Sequence, residues 1–243
     1  MSSPLSVPRQ LVSALSTISP NAIFAKATTE KVIALTIDDV PTPCQPDYAS
    51  TQRILEAIAQ YNGALPSSAY RAHATFFVIG SYLTHGSSIL QQMLAQGHEL
   101  GNHGMFDHTH ASLPLTTLAD ELKAAHQLLT KDTGTCLQWF RPGRGMYNRQ
   151  VIDAVGQLRP WGYRSQVALA SMVPLDTRPQ FESPAFTFSY VSQFVFPGAI
   201  LVLHGGSEGR DRNTAAVLQQ LLPWLKSKGY RAVTLSQLFS PLA

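Results

Sequence analysis

The stretch Lys31-Val-Ile-Ala-Leu-Thr-Ile-Asp38-Asp39 constrains this chain more than any other: a short β-branched apolar run that ends in two adjacent carboxylates and then a Pro/Thr-rich loop, 41–43. Its composition predicts a buried strand. Two carboxylates cannot sit inside such a strand unpartnered, because desolvating each charge costs several kcal/mol. They belong at the carboxyl end, where α/β barrels build their active sites. There a metal ion would compensate them, one carboxylate as its ligand and the neighbour as a base. The alternative is a strand-to-loop junction whose carboxylates cap the next helix.

At 243 residues and 44% hydrophobic composition, the chain can furnish one α/β barrel or two small domains, and no long linker or charge run favours the latter. Eighteen Lys and Arg against 15 Asp and Glu give a net charge of +3. No polybasic block or basic-aromatic repeat accompanies it, which argues against a nucleic-acid partner. Cys44 and Cys136 lack metal-ligand spacing and read as bystanders. No run is long enough for a transmembrane segment, and the first thirty residues lack the basic start and compact apolar stretch of a secretory signal. The expectation is a cytoplasmic protein unless a leader has been removed. Oligomeric state is left open.

Strand-like and helix-like segments alternate throughout. A helix is predicted over 50–61, a strand over 72–79, a helix over 88–96, a short apolar step at 98–100 and a helix over 115–131. Trp139-Phe140 then leads into Arg141-Pro142. Further strands are expected at 162–167, 200–203 and 231–235, with an amphipathic helix over 213–228. Stretches 61–71 and 171–193 read as loops, and 1–30 as an N-terminal extension packed on or leading into a catalytic domain spanning 31–243. This rhythm predicts a parallel barrel.

Three further clusters carry chemistry. In Gly101-Asn102-His103-Gly104-Met105-Phe106-Asp107-His108-Thr109-His110, imidazoles and a carboxylate crowd together, a ligand set suited to zinc. On a helix His103 would share a face with Asp107, while in a loop His108 could turn inward; solvated loop histidines are the competing reading. In Phe140-Arg141-Pro142-Gly143-Arg144-Gly145, an arginine could orient a carboxylate base by bidentate pairing, and a glycine N–H could approach a developing oxyanion. A surface arginine in a Pro/Gly turn is the alternative. In Leu201-Val-Leu-His204-Gly205-Gly206, a histidine closes an apolar strand, placed either to act as a general acid or to be a core residue satisfied by a carbonyl.

Taken in order, these clusters resemble the polysaccharide deacetylase family, the NodB homology domain of carbohydrate esterase family 4. Thr36-Ile-Asp38-Asp39 is similar to its first motif, Ala74-Thr-Phe-Phe-Val-Ile-Gly80 to its second strand, and Gly97-His-Glu-Leu-Gly-Asn-His103 to the lead into its metal motif. Phe140-Arg141-Pro142 through Gly145, Leu201-Val-Leu-His204-Gly205 and the closing strand at 229–235 follow in order. The resemblance implies a distorted (β/α) barrel and a metal-dependent hydrolase that removes N-acetyl or O-acetyl groups from N-acetylglucosamine-containing glycans such as chitin, chitooligosaccharide or peptidoglycan. The cofactor implied is Zn2+, or another divalent ion such as Co2+. Asp39 and His103 would be metal ligands, Asp38 the general base held by Arg141, and His204 the acid that protonates the leaving amine. Leu201 and Leu203 would line the pocket for the acetyl methyl group, and Gly145 and Arg144 would contact substrate.

The chain departs from the family pattern at three places. Asp107 stands where the metal motif usually has its second histidine and His108 comes one residue later, so the third ligand is Asp107 or His108. Gly143-Arg144 replaces a proline and an aromatic, exchanging a sugar-contacting surface for a positive charge that either favours an acidic sugar substituent or is a surface feature. The carboxylate that tunes His204 has no clear motif; Asp176, in Pro174-Leu-Asp-Thr-Arg178, is the nearest candidate. Other readings are a C–N hydrolase for a small non-sugar amide and a catalytically silent glycan-binding protein. The set of acid, base and metal ligands speaks against silence.

Overall fold

The computed structural model describes residues 17–240 together with 12, 14 and 15. The remaining positions, including the first eleven of the expected extension and the last three of the expected domain, lie outside the described residues. Strand β1 (Ala22–Ile23) is followed by β2 (Val32–Val40), α1 (Ala49–Gly63), β3 (Thr75–Val78), α2 (Ser88–Ala95) and β4 (Glu99–Asn102). Then come α3 (Leu115–Lys131), α4 (Arg149–Gln157), β5 (Val167–Ala168), α5 (Pro184–Phe194), β6 (Ile200–His204), α6 (Glu208–Ser227), β7 (Arg231–Val233) and α7 (Leu235–Phe239).

All pairings between named strands are parallel, and the sheet runs β4-β3-β2-β6. Strand β2 is its centre. Ala34 pairs with Ile200 of β6 and with Val233 of β7. Strand β7 therefore shares with β3 the edge of β2 that β6 does not use. The circuit closes through isolated bridges: Asn102 with Phe140, an Ala168 N–H donating to the Phe140 carbonyl, and Met172 with Leu201. Short segments in place of full strands make this a distorted barrel.

Strand parity divides the core. Val32, Ala34 and Ile200 pack inside the barrel with Phe77, Trp139 and Val233. Ile33, Leu35, Ile37, Leu201 and Leu203 face the surrounding helices. This period-2 partition places Thr36 and Asp38 of β2, and Val202 and His204 of β6, on the inner side.

Three expectations need correction. Residues 162–166 are not a strand, because Gly162 (φ +96°) closes a tight turn after Pro160; the strand is β5, displaced to Val167–Ala168. The expected loop at 171–193 contains α5, whose aromatic and Ser/Thr residues give no clear apolar stripe. Helix α6 begins five residues before the expected 213, capped by Ser207, whose hydroxyl accepts from the Arg210 N–H. Strand β1 lies within the stretch expected as an extension, its two residues pairing with β5, and the Lys26 N–H donates to Gly198. Cys44 and Cys136 are exposed free thiols. No helix among the described residues is long and apolar enough to cross a membrane.

Helix α6 is fixed to the barrel by a buried acid. Asp211 Oδ2 accepts from the hydroxyls of Thr42, Ser50 and Thr51 at 2.5, 2.5 and 3.1 Å, and burial raises its carboxyl above the ordinary range. Asp211→Ala strands three buried donors and should cost about 2 kcal/mol or more. Urea unfolding checks this, and a loss below about 0.5 kcal/mol, as for a surface substitution, would contradict it.

Candidate active site

In a regular strand Asp38 and Asp39 would point to opposite faces. They do not, because β2 carries a bulge: Ile37 pairs with Phe76 and Val40 with Val78, so three steps along β2 match two along β3. Asp39 takes the strained left-handed conformation (φ +63°), and both carboxylates face one cleft. Gly206 (φ +82°) permits this from below. A Cβ there would come within 2.4 Å of the Asp39 carbonyl oxygen.

The cleft has a volume of about 430 Å³ and holds Asp38, Asp39, His103, Arg141 and His204. Arg141 is buried in the barrel with its guanidinium 4.2 Å from the Phe77 ring centre. Its Nη1 donates to Asp38 Oδ1 (2.6 Å) and Thr36 Oγ1 (2.7 Å), Nε to the Ala168 carbonyl (2.9 Å) and Nη2 to the Leu169 carbonyl (3.1 Å). Four bonds, two to β2 and two to β5 and the residue after it, leave it almost no freedom. Asp38 Oδ2, by contrast, has among the described residues one ion-pair partner, His103 Nε2 at 3.9 Å.

His103 Nδ1 lies 2.8 Å from the Arg141 carbonyl, which can only accept, so a proton sits on Nδ1, and Nε2 is the nitrogen that could bind a cation once its own proton is lost. That Nε2 is 3.2 Å from Asp39 Oδ1. Burial pushes the Asp39 carboxyl up, yet the hydrogen bond and charge of His103, with His204 and Arg210, outweigh it and hold it at about 2. His103 is the mirror case: burial lowers its pKa, but Asp38 and Asp39 raise it above the ordinary value.

On β6, His204 donates its backbone N–H to Asp176 Oδ2 (3.0 Å), and its Nδ1 lies 2.7 Å from Asp176 Oδ1. The motif-less candidate thus meets the histidine it was expected to tune. Burial alone would depress the imidazole pKa; Asp176, then Asp38 and Asp39, raise it above the usual value. Leu175 in the left-handed region (φ +60°) turns Asp176 into place.

The other expected site residues fall elsewhere. Leu201 and Leu203 are fully buried on the helix side, and Val202 between them lines the cleft, because parity with His204 puts alternate residues inside. Gly145 lines the cleft, but its N–H donates to the Pro142 carbonyl (3.1 Å), and the Gly143 N–H donates to His110 Nδ1 (2.8 Å). Neither N–H is available to an oxyanion. Arg144 (φ +60°) lines the cleft and pairs with Asp107 Oδ1 at 2.9 Å. His108 Nε2 lies 2.9 Å from Glu121 Oε2, and with the buried His110 these form a separate group of donor atoms. The structure therefore joins Asp39 with His103 and gives neither Asp107 nor His108 a contact with them. Burial raises the Tyr82 phenol, and Asp107 and Asp39 raise it further, so both carboxylates act on one side chain.

The sequence reading missed Thr36, Val202, Arg210 and Phe24. Arg210 Nη1 reaches Asp39 Oδ2 at 3.4 Å, and Phe24 lines the cleft. The Ser207 cap three residues before Arg210 was the available signal for a helix start there.

Comparison with known proteins gives a match to the family profile described as Polysaccharide deacetylase over residues 25–160. A peptidoglycan-N-acetylglucosamine deacetylase of Bacillus cereus is 33% identical over 211 residues, covering 86% of this chain and 88% of that protein. A peptidoglycan-N-acetylglucosamine deacetylase PgdA of Listeria monocytogenes is longer, with the chain 27% identical to it and spanning 40% of its length. Among solved structures, a family 4 acetyl xylan esterase from Clostridium thermocellum, in complex with a cobalt ion, aligns with TM-score 0.71 and 27% identity over 86% of this chain and 90% of that one. A CE4 family pseudoenzyme from Bacillus anthracis aligns with TM-score 0.73 over 93% of this chain and 71% of that one; at 21% identity this likeness concerns the fold alone.

Arg141→Ala would leave the Asp38 carboxylate buried without its cation, at a cost of about 3–5 kcal/mol. Arg141→Lys keeps the charge but cannot reproduce four planar bonds, and should recover only part. Denaturant unfolding of both variants measures the difference; equal stability of Arg141→Ala and the parent would refute the role given to this side chain.

Proposed function

This chain belongs to the polysaccharide deacetylase family, and we propose that it hydrolyses N-acetyl groups on an N-acetylglucosamine-containing glycan with the help of a divalent metal. The observation that carries this reading is the bulge at Asp38-Asp39, which turns Asp39 into the cleft that also holds Asp38, His103, Arg141 and His204.

The donor set fits a divalent transition metal: a carboxylate held ionised and an imidazole whose tautomer is set by its partner. Asp39 and His103 would hold it. Asp107 is our candidate for a third ligand, since its carboxylate is engaged only by the half-exposed Arg144, whereas His108 is drawn off by Glu121. Zinc is the ion proposed; bound, it would supply Lewis acidity toward the acyl oxygen and the attacking water.

The remaining steps belong to the chain. Asp38 takes the proton of the attacking water on Oδ2, because Oδ1 is committed to Arg141. With Asp176 accepting from Nδ1–H, His204 presents Nε2 to the cleft and protonates the departing nitrogen, so an amine leaves instead of an amide anion. Val202, Leu169 and Ala170 give the cleft an apolar wall suited to an acetyl methyl group.

Acetate release from chitooligosaccharides and from peptidoglycan, before and after exhaustive chelation, tests the assignment. Release should be lost on chelation and return with added zinc, and Asp38→Asn should abolish it to at least about a hundredfold. Calorimetric zinc titration should show weaker binding in Asp107→Ala than in His108→Ala. Acetate from no glycan sinks the deacetylase reading, and full activity after chelation sinks the metal.

A raised His204 pKa keeps the acid protonated beyond the ordinary imidazole range. Activity is therefore present below that pKa and lost as pH rises through it, which puts the alkaline limb of kcat/KM above about 6.5. Asp176→Asn removes the charge that favours imidazolium, so this limb should move to lower pH. A limb that stays in place would detach it from His204.

A further inference from the structure

The cleft contains one cation that nothing balances. Around it Asp38 pairs with Arg141 (2.6 Å), Asp39 with His103 (3.2 Å) and Arg210 (3.4 Å), Asp107 with Arg144 (2.9 Å), and Asp176 with His204 (2.7 Å). Arg178 also lines the cleft, exposed, and among the described residues no carboxylate lies within ion-pair distance of its guanidinium. Its position is not that of a loose surface arginine. The Arg178 backbone N–H donates to the Leu175 carbonyl (2.9 Å), closing the turn whose second residue, Asp176, grips both the ring and the backbone of His204. Arg178 is thus carried on the same turn as Asp176 and lines the same cleft as His204.

Resting on the deacetylase reading, we propose that Arg178 selects N-acetylated sugars that carry a carboxylate close to the scissile amide. A planar fork of donors matches a carboxylate in two parallel bonds. Arg144 adds to the preference. It lines the same cleft with about half of its side chain exposed, and with Asp107 engaged as a metal ligand its guanidinium would turn to the substrate. The floor carboxylates do not repel such a ligand, since each has its own buried or half-buried cation.

Two placements of the carboxylate share this chemistry: an ether substituent of the acetylated sugar itself, or the neighbouring sugar. The test compares kcat/KM for an N-acetylglucosamine–N-acetylmuramic acid disaccharide with a free lactyl group, for a hyaluronan tetrasaccharide, and for chitotetraose, at low salt. Arg178→Gln should lower the ratio of a carboxylated substrate to chitotetraose by about tenfold or more, mainly through KM, and Arg178→Lys should restore part of it. Whichever carboxylated substrate shows the fall identifies the placement. An unchanged ratio for both, or a parent enzyme that favours chitotetraose, overturns the proposal. Calorimetric binding of the same three glycans after chemical N-deacetylation needs no turnover. Tighter binding of a carboxylated glycan that is lost in Arg178→Gln upholds the selection even if no substrate releases acetate, and equal affinities in the two proteins reject it.

Discussion

The buried guanidinium of Arg141 is the interaction on which the rest of this molecule turns. The barrel is made of short pieces, and between the segment at Phe140 and strand β5 the backbone pairing is a single Ala168 to Phe140 bond. Arg141 spans that weak side from within, bonding two carbonyls just after this bond while reaching Thr36 and Asp38 on the opposite strand. The charge that would be ruinous to bury alone is neutralised by Asp38, and Asp38 is bearable in the interior only because Arg141 is there. Structural closure and the placement of Asp38, the proposed base, are thus one interaction, and neither can be weakened without the other.

Much of this was legible in the sequence because strands obey parity. The apolar run before Asp38 announced its burial, and Arg141, His103 and His204 each sat where a strand or near-strand delivers its last residue to one end of the barrel. Parity was also where the reading slipped. Leu201 and Leu203 were expected in the cleft, yet counting back from His204 in steps of two reaches Val202. That error was avoidable from sequence alone.

The bulge was not avoidable in the same way. Nothing in Thr-Ile-Asp-Asp-Val states that Asp39 will adopt φ +63°, and without that twist the two carboxylates would part to opposite faces. The conformation is imposed from outside, by the pairing of Val40 with Val78 and by Gly206, which leaves room beneath the Asp39 carbonyl. Likewise His108 stood second to Asp107 as a candidate ligand, and nothing in its spacing showed that Glu121, thirteen residues on along α3, would be its partner. Side chains placed by strands can be read from their spacing, and those placed by left-handed residues or helix partners cannot.

The turn at 175–178 is the sharpest instance of this limit. It follows no motif, and Leu175 is an unlikely residue for a left-handed position, since a branched side chain raises the cost that glycine avoids. That cost is met by the grip of Asp176 on His204, two hydrogen bonds from one carboxylate to the ring and backbone of the same residue. Once Asp176 is fixed, Arg178 two positions on has its backbone fixed as well, through the bond closing the turn. The turn that holds His204, the proposed acid, therefore also carries the Arg178 charge at the cleft. On the proposal that Arg178 selects the substrate, a loop built this way could exchange the side chain at 178 without disturbing His204, because the left-handed residue and the carboxylate that offsets it are 175 and 176.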